Sequence, residues 1–94
     1  MFQHILLPTD GSELSNAAIQ EGVRFAKGLG ARVTGLCVMP PQHPFFYETE
    51  IPVTALQEAA QRYRELADGF LAVVSKAAEE AGVVCEVVYE VTAL

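Results

Sequence analysis

The sequence predicts an α/β fold with an open parallel sheet, and three observations support this prediction. Short apolar runs alternate with longer stretches of helical periodicity, as in strand–helix–strand units. The apolar runs are hydrophobic on consecutive positions, as in strands buried on both faces. The first run, Ile5–Leu7, stops abruptly at Pro8, Asp10 and Gly11, which marks a turn. The 94 residues correspond to a single α/β domain, residues 1–94.

The first predicted strand ends at Pro8, because proline lacks the N–H that a central strand position needs. In open α/β sheets ligands are held at the carboxyl ends of strands, so Asp10 is a candidate ligand contact. The alternative is that Asp10 caps the following helix, with Glu13 closing a capping box. Ser12 is expected to start the helix rather than act as a nucleophile, because no base lies at a suitable spacing.

The first helix is predicted over about Ser12–Lys27, where helical periodicity replaces the strand pattern. Its predicted apolar face comprises Leu14, Ala18, Phe25 and Ala26. Gly28 and Gly30 supply the helix stop and a turn with positive φ. The second strand follows as Arg32–Met39.

Residues 40–53 are predicted to be a long loop, because their four prolines exclude a helix or a central strand. A connection of this length is either a lid or binding loop, or an insertion packed over the end of the sheet. The aromatic residues Phe45, Phe46 and Tyr47 are candidates for stacking on a base, although aromatic residues more often serve the core.

The second helix is predicted to open with a capping box at Thr54 and Gln57 and to end at Gly82. Its apolar stripe alternates steps of four and three residues: Leu56, Ala60, Tyr63, Ala67, Phe70, Val74, Ala77 and Ala81. Core contact is favoured over a coiled-coil partner, because the stripe is rich in alanine. The third strand is predicted as Val83–Val91.

Strand order decides what the helices cover. If the order is 3-2-1, right-handed connections place both helices on one face of the sheet. The other face then lacks a helix, although the strands are apolar on both faces, so the prediction is a truncated three-layer sandwich. We expect the chain to form a homo-oligomer, such as a dimer, through this face or the edge of the first strand, or else to aggregate.

Composition limits the partners. The net charge is −6 and the six Lys and Arg residues are scattered, which argues against nucleic acid as a partner. No apolar run approaches the roughly 18 residues of a membrane span, and no signal-peptide pattern is visible, so we expect a cytoplasmic protein. Cys37 and Cys85 lie in apolar strand segments as small buried hydrophobes, without an expected disulfide. No metal site is expected, because His4 and His43 lack partners at ligand spacing.

The segment Pro8–Ser12 resembles the opening of universal stress proteins, whose first strand typically ends in an apolar–Pro–x–Asp–Gly–Ser pattern. The resemblance continues through the alanine-rich helix, the second strand, the long helix and the third strand, and so covers essentially the whole chain. It implies a Rossmann-like open parallel sheet. It also implies a stress-response protein that acts by assembly or signalling, with slow ATP hydrolysis at most.

The resemblance further implies an adenine-nucleotide site with ATP as the expected ligand. By position, Pro8 and Thr9 would flank the adenine, and Asp10 would accept hydrogen bonds from adenine or ribose groups. Val38 would offer its backbone to the adenine edge. The family's phosphate loop, Gly-x-x-Gly followed after roughly nine residues by Gly-Ser or Gly-Thr, lies after a fourth strand. The sequence ends at Leu94, before that point, so the resemblance implies that the domain of residues 1–94 is incomplete at its C-terminus.

Two other functions remain open from the sequence. One is a nucleotide-free dimerisation or interaction module of the same fold. The other is an ATP-using enzyme of the adenine-nucleotide α-hydrolase-like group, which places a glycine- or serine-rich phosphate motif after the first strand. The segment after Asp10 fits that motif poorly, because Glu13 would repel a phosphate at the helix start.

Overall fold

The computed structural model describes residues 3–39, 45–46, 49–50 and 53–91. The elements of the chain, in order, are β1 His4–Pro8, α1 Glu13–Leu29, β2 Arg32–Met39, β3 Phe45–Phe46, β4 Thr49–Glu50, α2 Val53–Ala81 and β5 Cys85–Val91.

Strands β1, β2 and β5 form one parallel sheet with β2 in the centre. Ile5 pairs with Val33, and Val33 pairs with Cys85 on its other side. The three predicted strands correspond to β1, β2 and β5, so the sheet has the predicted order 3-2-1. The predicted fold class and strand order are therefore confirmed. The carboxyl ends of β1 and β2 consequently lie side by side at one end of the sheet.

Both helices pack on the same face of this sheet and against each other. The larger core cluster between the helices and the strands contains Leu7, Ile19, Val23, Ala26, Ala31, Val33, Val74, Ala77 and Ala78. A second cluster lies nearer the carboxyl ends of the strands and contains Cys37, Ala67 and Leu71. Burial of these side chains is the main favourable term in the folding of the chain.

The contact between α2 and β2 is close at Gly35. A Cβ atom built at Gly35 would lie 3.0–3.1 Å from the Val74 side chain, tighter than nine in ten real Cβ contacts. Glycine therefore lets the helix settle onto the centre of the sheet, where Val74 is fully buried.

The opposite face of the sheet carries no helix within the described ranges. Ile5 and Leu7 pack with the helix-side core, so Leu6 between them points to the uncovered face, where it is 57% exposed. Val38, at the end of β2, is 51% exposed. The predicted bare face is therefore present in the described part of the chain.

The buried face of α1 differs from the predicted one. The side chains that reach the core are Ile19, Val23 and Ala26, whereas Leu14 is 82% exposed. Ala18 and Phe25 are exposed as well, so only Ala26 of the predicted face is buried. The prediction was wrong because α1 carries apolar residues on two sides, and periodicity alone does not tell which side faces the sheet.

The bounds of α1 are also shifted, and the expected stop at Gly28 was wrong, because Gly28 lies inside the helix. The helix begins after the N-cap Ser12 and ends at Leu29, where Gly30 adopts a left-handed φ of 69°. Gly30 donates its N–H to the carbonyl groups of Ala26 and Lys27, and in this way closes the last turn. The expected role of Ser12 as the helix-start residue is confirmed.

The predicted stripe on α2 joins the core clusters from Ala67 onward. Ala67, Val74 and Ala77 are buried. Leu56, Tyr63, Phe70 and Ala81 are half-buried, and Ala60 is exposed. The core also takes Leu71 and Ala78, which lie beside the predicted stripe. The helix begins at Val53, one residue before the predicted cap at Thr54.

The segment between β2 and α2 is not wholly irregular. Phe45–Phe46 and Thr49–Glu50 pair as short antiparallel strands, so the expected absence of regular structure was wrong there. The side chains of Phe45 and Phe46, and the whole of Tyr47, lie outside the described part of the chain, and their proposed stacking role stays a prediction.

Both cysteines are free thiols, with Cys37 buried and Cys85 half-buried. Burial raises the pKa of Cys37, and the negative charge of Asp10 adds to this effect. Within the described ranges, no three side chains are grouped as a metal site would need. No helix in the same ranges is long and apolar enough to cross a membrane.

We predict that Gly35→Ala lowers the free energy of unfolding by about 1–3 kcal/mol, because the added methyl group overpacks the contact with Val74. The matched control is Gly69→Ala, an exposed helical glycine with open space around it, which should stabilise by about 1 kcal/mol. Urea unfolding followed by circular dichroism measures both. An unchanged midpoint for Gly35→Ala would show that α2 lies further from β2.

Candidate functional site

A cleft of about 370 Å³ opens where β1 and β2 end and α1 begins. Its lining residues are Pro8, Thr9, Asp10, Ser12, Leu14, Ser15, Ala18, Leu36 and Val38. The four residues predicted to form a binding site, Pro8, Thr9, Asp10 and Val38, are all in this set. The parallel pairing of β1 with β2 brings them together, because it aligns the carboxyl ends of the two strands.

Thr9 anchors the turn between β1 and α1. Its N–H donates to the Leu36 carbonyl at 2.8 Å, which continues the pairing with β2 past Pro8. Its side-chain oxygen accepts from the Gly11 N–H at 3.2 Å and from the Ser15 hydroxyl at 3.0 Å. Thr9 is buried, so these bonds fix the floor of the cleft.

Gly11 is required at the next step of the turn for two reasons. Its φ is 81°, a left-handed conformation that residues with a side chain rarely adopt. A Cβ atom at this position would also collide with the Phe70 ring of α2. The chain therefore turns sharply after Asp10 while staying pressed against the long helix.

Asp10 lies at the exposed mouth of the cleft. Its Oδ1 accepts from the Ser12 N–H at 2.9 Å, and the hydrogen bonds with Ser12 hold the pKa of the carboxyl below its usual value. The interpretation of Asp10 as the helix N-cap was wrong, because Ser12 occupies that position and accepts from the Ser15 N–H at 3.0 Å. Asp10 instead forms an Asx turn with Ser12, two residues before the cap position.

Ser15 also replaces Glu13 in the expected capping box. The third residue after the cap is Ser15, whose N–H bonds to Ser12 and whose hydroxyl bonds to Thr9. Glu13 is exposed in the first turn of α1. The start of the helix is thus tied to the strand end by hydroxyl groups, which stay on the cleft side.

Val38 forms the β2 side of the cleft. Peptide groups in a strand point alternately to the two neighbours, and the carbonyl of Leu36 points towards β1. The peptide groups of Val38, two residues later, face the same side, beyond the last residue of β1. The geometry therefore places the Val38 backbone beside the cleft, as the sequence-based assignment requires.

The lining divides into a polar end and an apolar wall. Thr9, Asp10, Ser12 and Ser15 supply hydroxyl and carboxylate groups, while the wall consists of Pro8, Leu14, Ala18, Leu36 and Val38. The lining described includes no lysine or arginine. Such a site suits a ligand with an apolar ring and hydroxyl donors.

Part of this wall was missed by sequence reasoning. Leu14 and Ala18 were assigned to the core face of α1, and their exposure now explains how they line the cleft. Leu36 and Ser15 were not singled out as site residues. The signal available in the sequence was the presence of apolar residues on both sides of α1.

Comparisons with known proteins give a consistent result. The sequence model of the universal stress protein family matches residues 1–93. Among solved structures, a universal stress family protein from Burkholderia pseudomallei superposes with a TM-score of 0.67 at 18% identity, covering 98% of this chain and 64% of that one. The universal stress protein UspA from Lactobacillus plantarum superposes with a TM-score of 0.72 at 22% identity, covering 95% and 60%.

A third similar structure is a universal stress protein solved in complex with cAMP. Its TM-score is 0.63 at 21% identity, and the alignment covers 97% of this chain and 56% of that one. This chain therefore spans about three fifths of the length of these structures. No curated protein matches the chain at a significant level.

We predict an acid-dependent contribution of Asp10 to stability. Because its pKa is lower in the folded chain than the ordinary 3.8, the folded state binds fewer protons than the unfolded state. The contribution is full above the unfolded value and is lost as the pH falls through the folded value. Asp10→Asn should therefore lose a constant amount of stability above about pH 5, with the difference vanishing at lower pH.

Urea titrations across this pH range test the prediction, with Glu58→Gln as the control that removes an exposed acid of α2 far along the chain from the turn. A difference between Asp10→Asn and the parent chain that grows on acidification would contradict the hydrogen bonds with Ser12.

Proposed function

The chain belongs to the universal stress protein family, and on that premise we propose that it is a stress-response protein that binds an adenine nucleotide in the cleft between β1, β2 and α1. ATP is the proposed physiological ligand. The observation that carries the proposal is that Pro8, Thr9, Asp10 and Val38 line one cleft at the carboxyl ends of adjacent strands. One similar protein was solved with the adenine nucleotide cAMP, which supports this ligand class.

The cleft suits the adenosine half of the ligand. Leu36 and Val38 offer apolar surface to the base, and Pro8 closes the wall at the end of β1. Asp10 is ionised and exposed, so its carboxylate accepts hydrogen bonds from ribose hydroxyl groups. A pair of hydroxyl donors on one carboxylate gives strong, oriented bonds.

Phosphate groups find less support in the described lining. It holds no lysine or arginine, and Glu13 adds a negative charge at the first turn of α1. Most of the affinity of this chain is therefore proposed to come from the adenosine half, with AMP and ATP binding comparably. This arrangement favours sensing, through assembly or signalling, over rapid turnover.

A second candidate is an interaction module that dimerises without nucleotide. It is favoured by the exposure of Leu6 and Val38 on the face of the sheet that no described helix covers. We also propose a cytoplasmic location, which the two free thiols support, because cysteines persist reduced in that compartment.

We predict that AMP and Mg-ATP bind this chain with similar affinity and that Asp10→Asn weakens both by about tenfold or more, because a charge-assisted hydrogen bond is lost. Isothermal titration calorimetry measures the binding. Glu13→Gln is the matched control: it removes an adjacent acid outside the lining, so it should weaken neither nucleotide. If neither nucleotide binds the folded chain, the nucleotide proposal fails and the interaction module remains.

We predict that the chain is a dimer at micromolar concentration and that Leu6→Glu converts it to a monomer by placing a charge on the uncovered face. Sedimentation equilibrium reads the mass. Phe25→Glu alters an exposed apolar residue of α1 and should leave the dimer intact. A monodisperse monomer for the unaltered chain would refute self-association.

A further inference from the structure

The outer edge of β5 is the second surface of interest. β5 pairs with β2 on one side, and its other side has no strand partner in the ranges that the structure describes. The Val84 carbonyl accepts from the Val33 N–H, so the peptide groups of alternate residues from Val84 onward point towards β2. Those of Val87 and Tyr89 consequently point outward as unpaired donors and acceptors.

The two faces of this edge differ in character. Glu86, Val88 and Glu90 point to the uncovered face of the sheet, where both glutamates are exposed and Val88 is half-buried. Val87 and Val91 lie on the helix side and are 43% and 50% exposed. The edge therefore presents two acids that flank Val88 on one face and apolar side chains on the other, in the two-residue period of an extended chain.

A groove of about 400 Å³ lies between the helix side of this edge and α2. Leu71, Ala72 and Val87 give it apolar surface. At one end the Arg64 guanidinium stacks over the Tyr89 ring, 4.7 Å from its centroid, and binds Asp68 at 3.2 Å. The rim charges Arg64, Asp68, Lys76 and Glu79 balance one another, so the groove favours apolar side chains without attracting one sign of charge.

We propose that the β5 edge binds an extended segment of a partner protein whose basic and apolar side chains alternate. The segment adds as a fourth strand to the sheet, with main-chain hydrogen bonds to Val87 and Tyr89. Its apolar side chains enter the groove, and its basic side chains lie opposite Glu86 and Glu90.

Electrostatics favours this partner over a second copy of the chain. A second copy carries a net charge of −6 and would bring two further acids to the same edge. A basic segment instead neutralises charge at an acidic protein, which raises both the rate and the specificity of association. The site lies on the opposite side of β2 from β1 and is separate from the cleft at Asp10.

The test uses the full chain and a fluorescein-labelled heptapeptide in which lysine and valine alternate, with fluorescence anisotropy as the readout. Binding is expected to weaken with salt and to be absent for the glutamate–valine version of the peptide. Glu86→Gln and Glu90→Gln should each weaken it by about two- to fivefold. Glu58→Gln, a charge change on α2 outside this groove, should have no effect.

Two further arms test strand addition itself. Val87→Pro removes an outward N–H without touching the ladder to β2 and should weaken binding about tenfold or more. Because that variant could unfold, two peptides methylated on alternate amide nitrogens are compared on the unaltered chain. One of them should bind and the other should not, since only one set of amides faces β5.

Three results would overturn the proposal: no binding of the basic peptide, equal binding of the acidic peptide, or equal binding of both methylated peptides. Light scattering, which measures the mass of the particle in solution, tests whether a second copy of the chain occupies the edge instead. If Val87→Pro dissolves a dimer while the peptide fails to bind, the edge belongs to a second copy and the proposal is wrong.

Discussion

The placement of both helices on one face of the sheet is the constraint on which the rest of the structure depends. Strand–helix–strand connections are right-handed, so the order β1–β2–β5 leaves α1 and α2 on a common side. Gly35 then allows α2 to sit close to the central strand, where Val74 fills the core. The same arrangement leaves Leu6 on the other face without a described helix over it.

The turn at the end of β1 forms the polar end of the candidate binding cleft. Thr9 joins β2, the turn and α1 through its backbone and side chain, so the cleft does not depend on a ligand to form. One carboxylate oxygen of Asp10 accepts a hydrogen bond from the Ser12 N–H, and the side chain remains exposed at the mouth of the cleft. A carboxylate held in this way is oriented and charged before any partner arrives, which lowers the ordering cost of binding.

Most of the fold, but only part of the cleft lining, could be predicted from the sequence. Pro8 and Gly30 fixed where elements end, because each has a backbone property that few residues share. The buried face of α1 was misassigned, since Leu14 and Ile19 are equally apolar and only tertiary packing selects between them. For the same reason the sequence did not predict that Leu14 lines the cleft, because this depends on how α1 packs beside β2. The alternative of Asp10 as the cap was wrong because the hydrogen bond from the Ser15 N–H to the Ser12 hydroxyl decides the cap position, and periodicity does not encode it.

The contact between Gly11 and Phe70 limits the substitutions that the sequence can accept during evolution. Position 11 is constrained twice, by its left-handed backbone and by the ring of α2 above it. A smaller side chain at position 70 would make room for a Cβ atom at position 11. The left-handed backbone at position 11 would still disfavour any residue other than glycine, so no single replacement at position 70 is sufficient. Phe70 itself is constrained by packing, because it contacts the core cluster of Cys37, Ala67 and Leu71. We therefore expect position 11 to stay glycine even where position 70 varies, so that the turn beside the cleft keeps its shape.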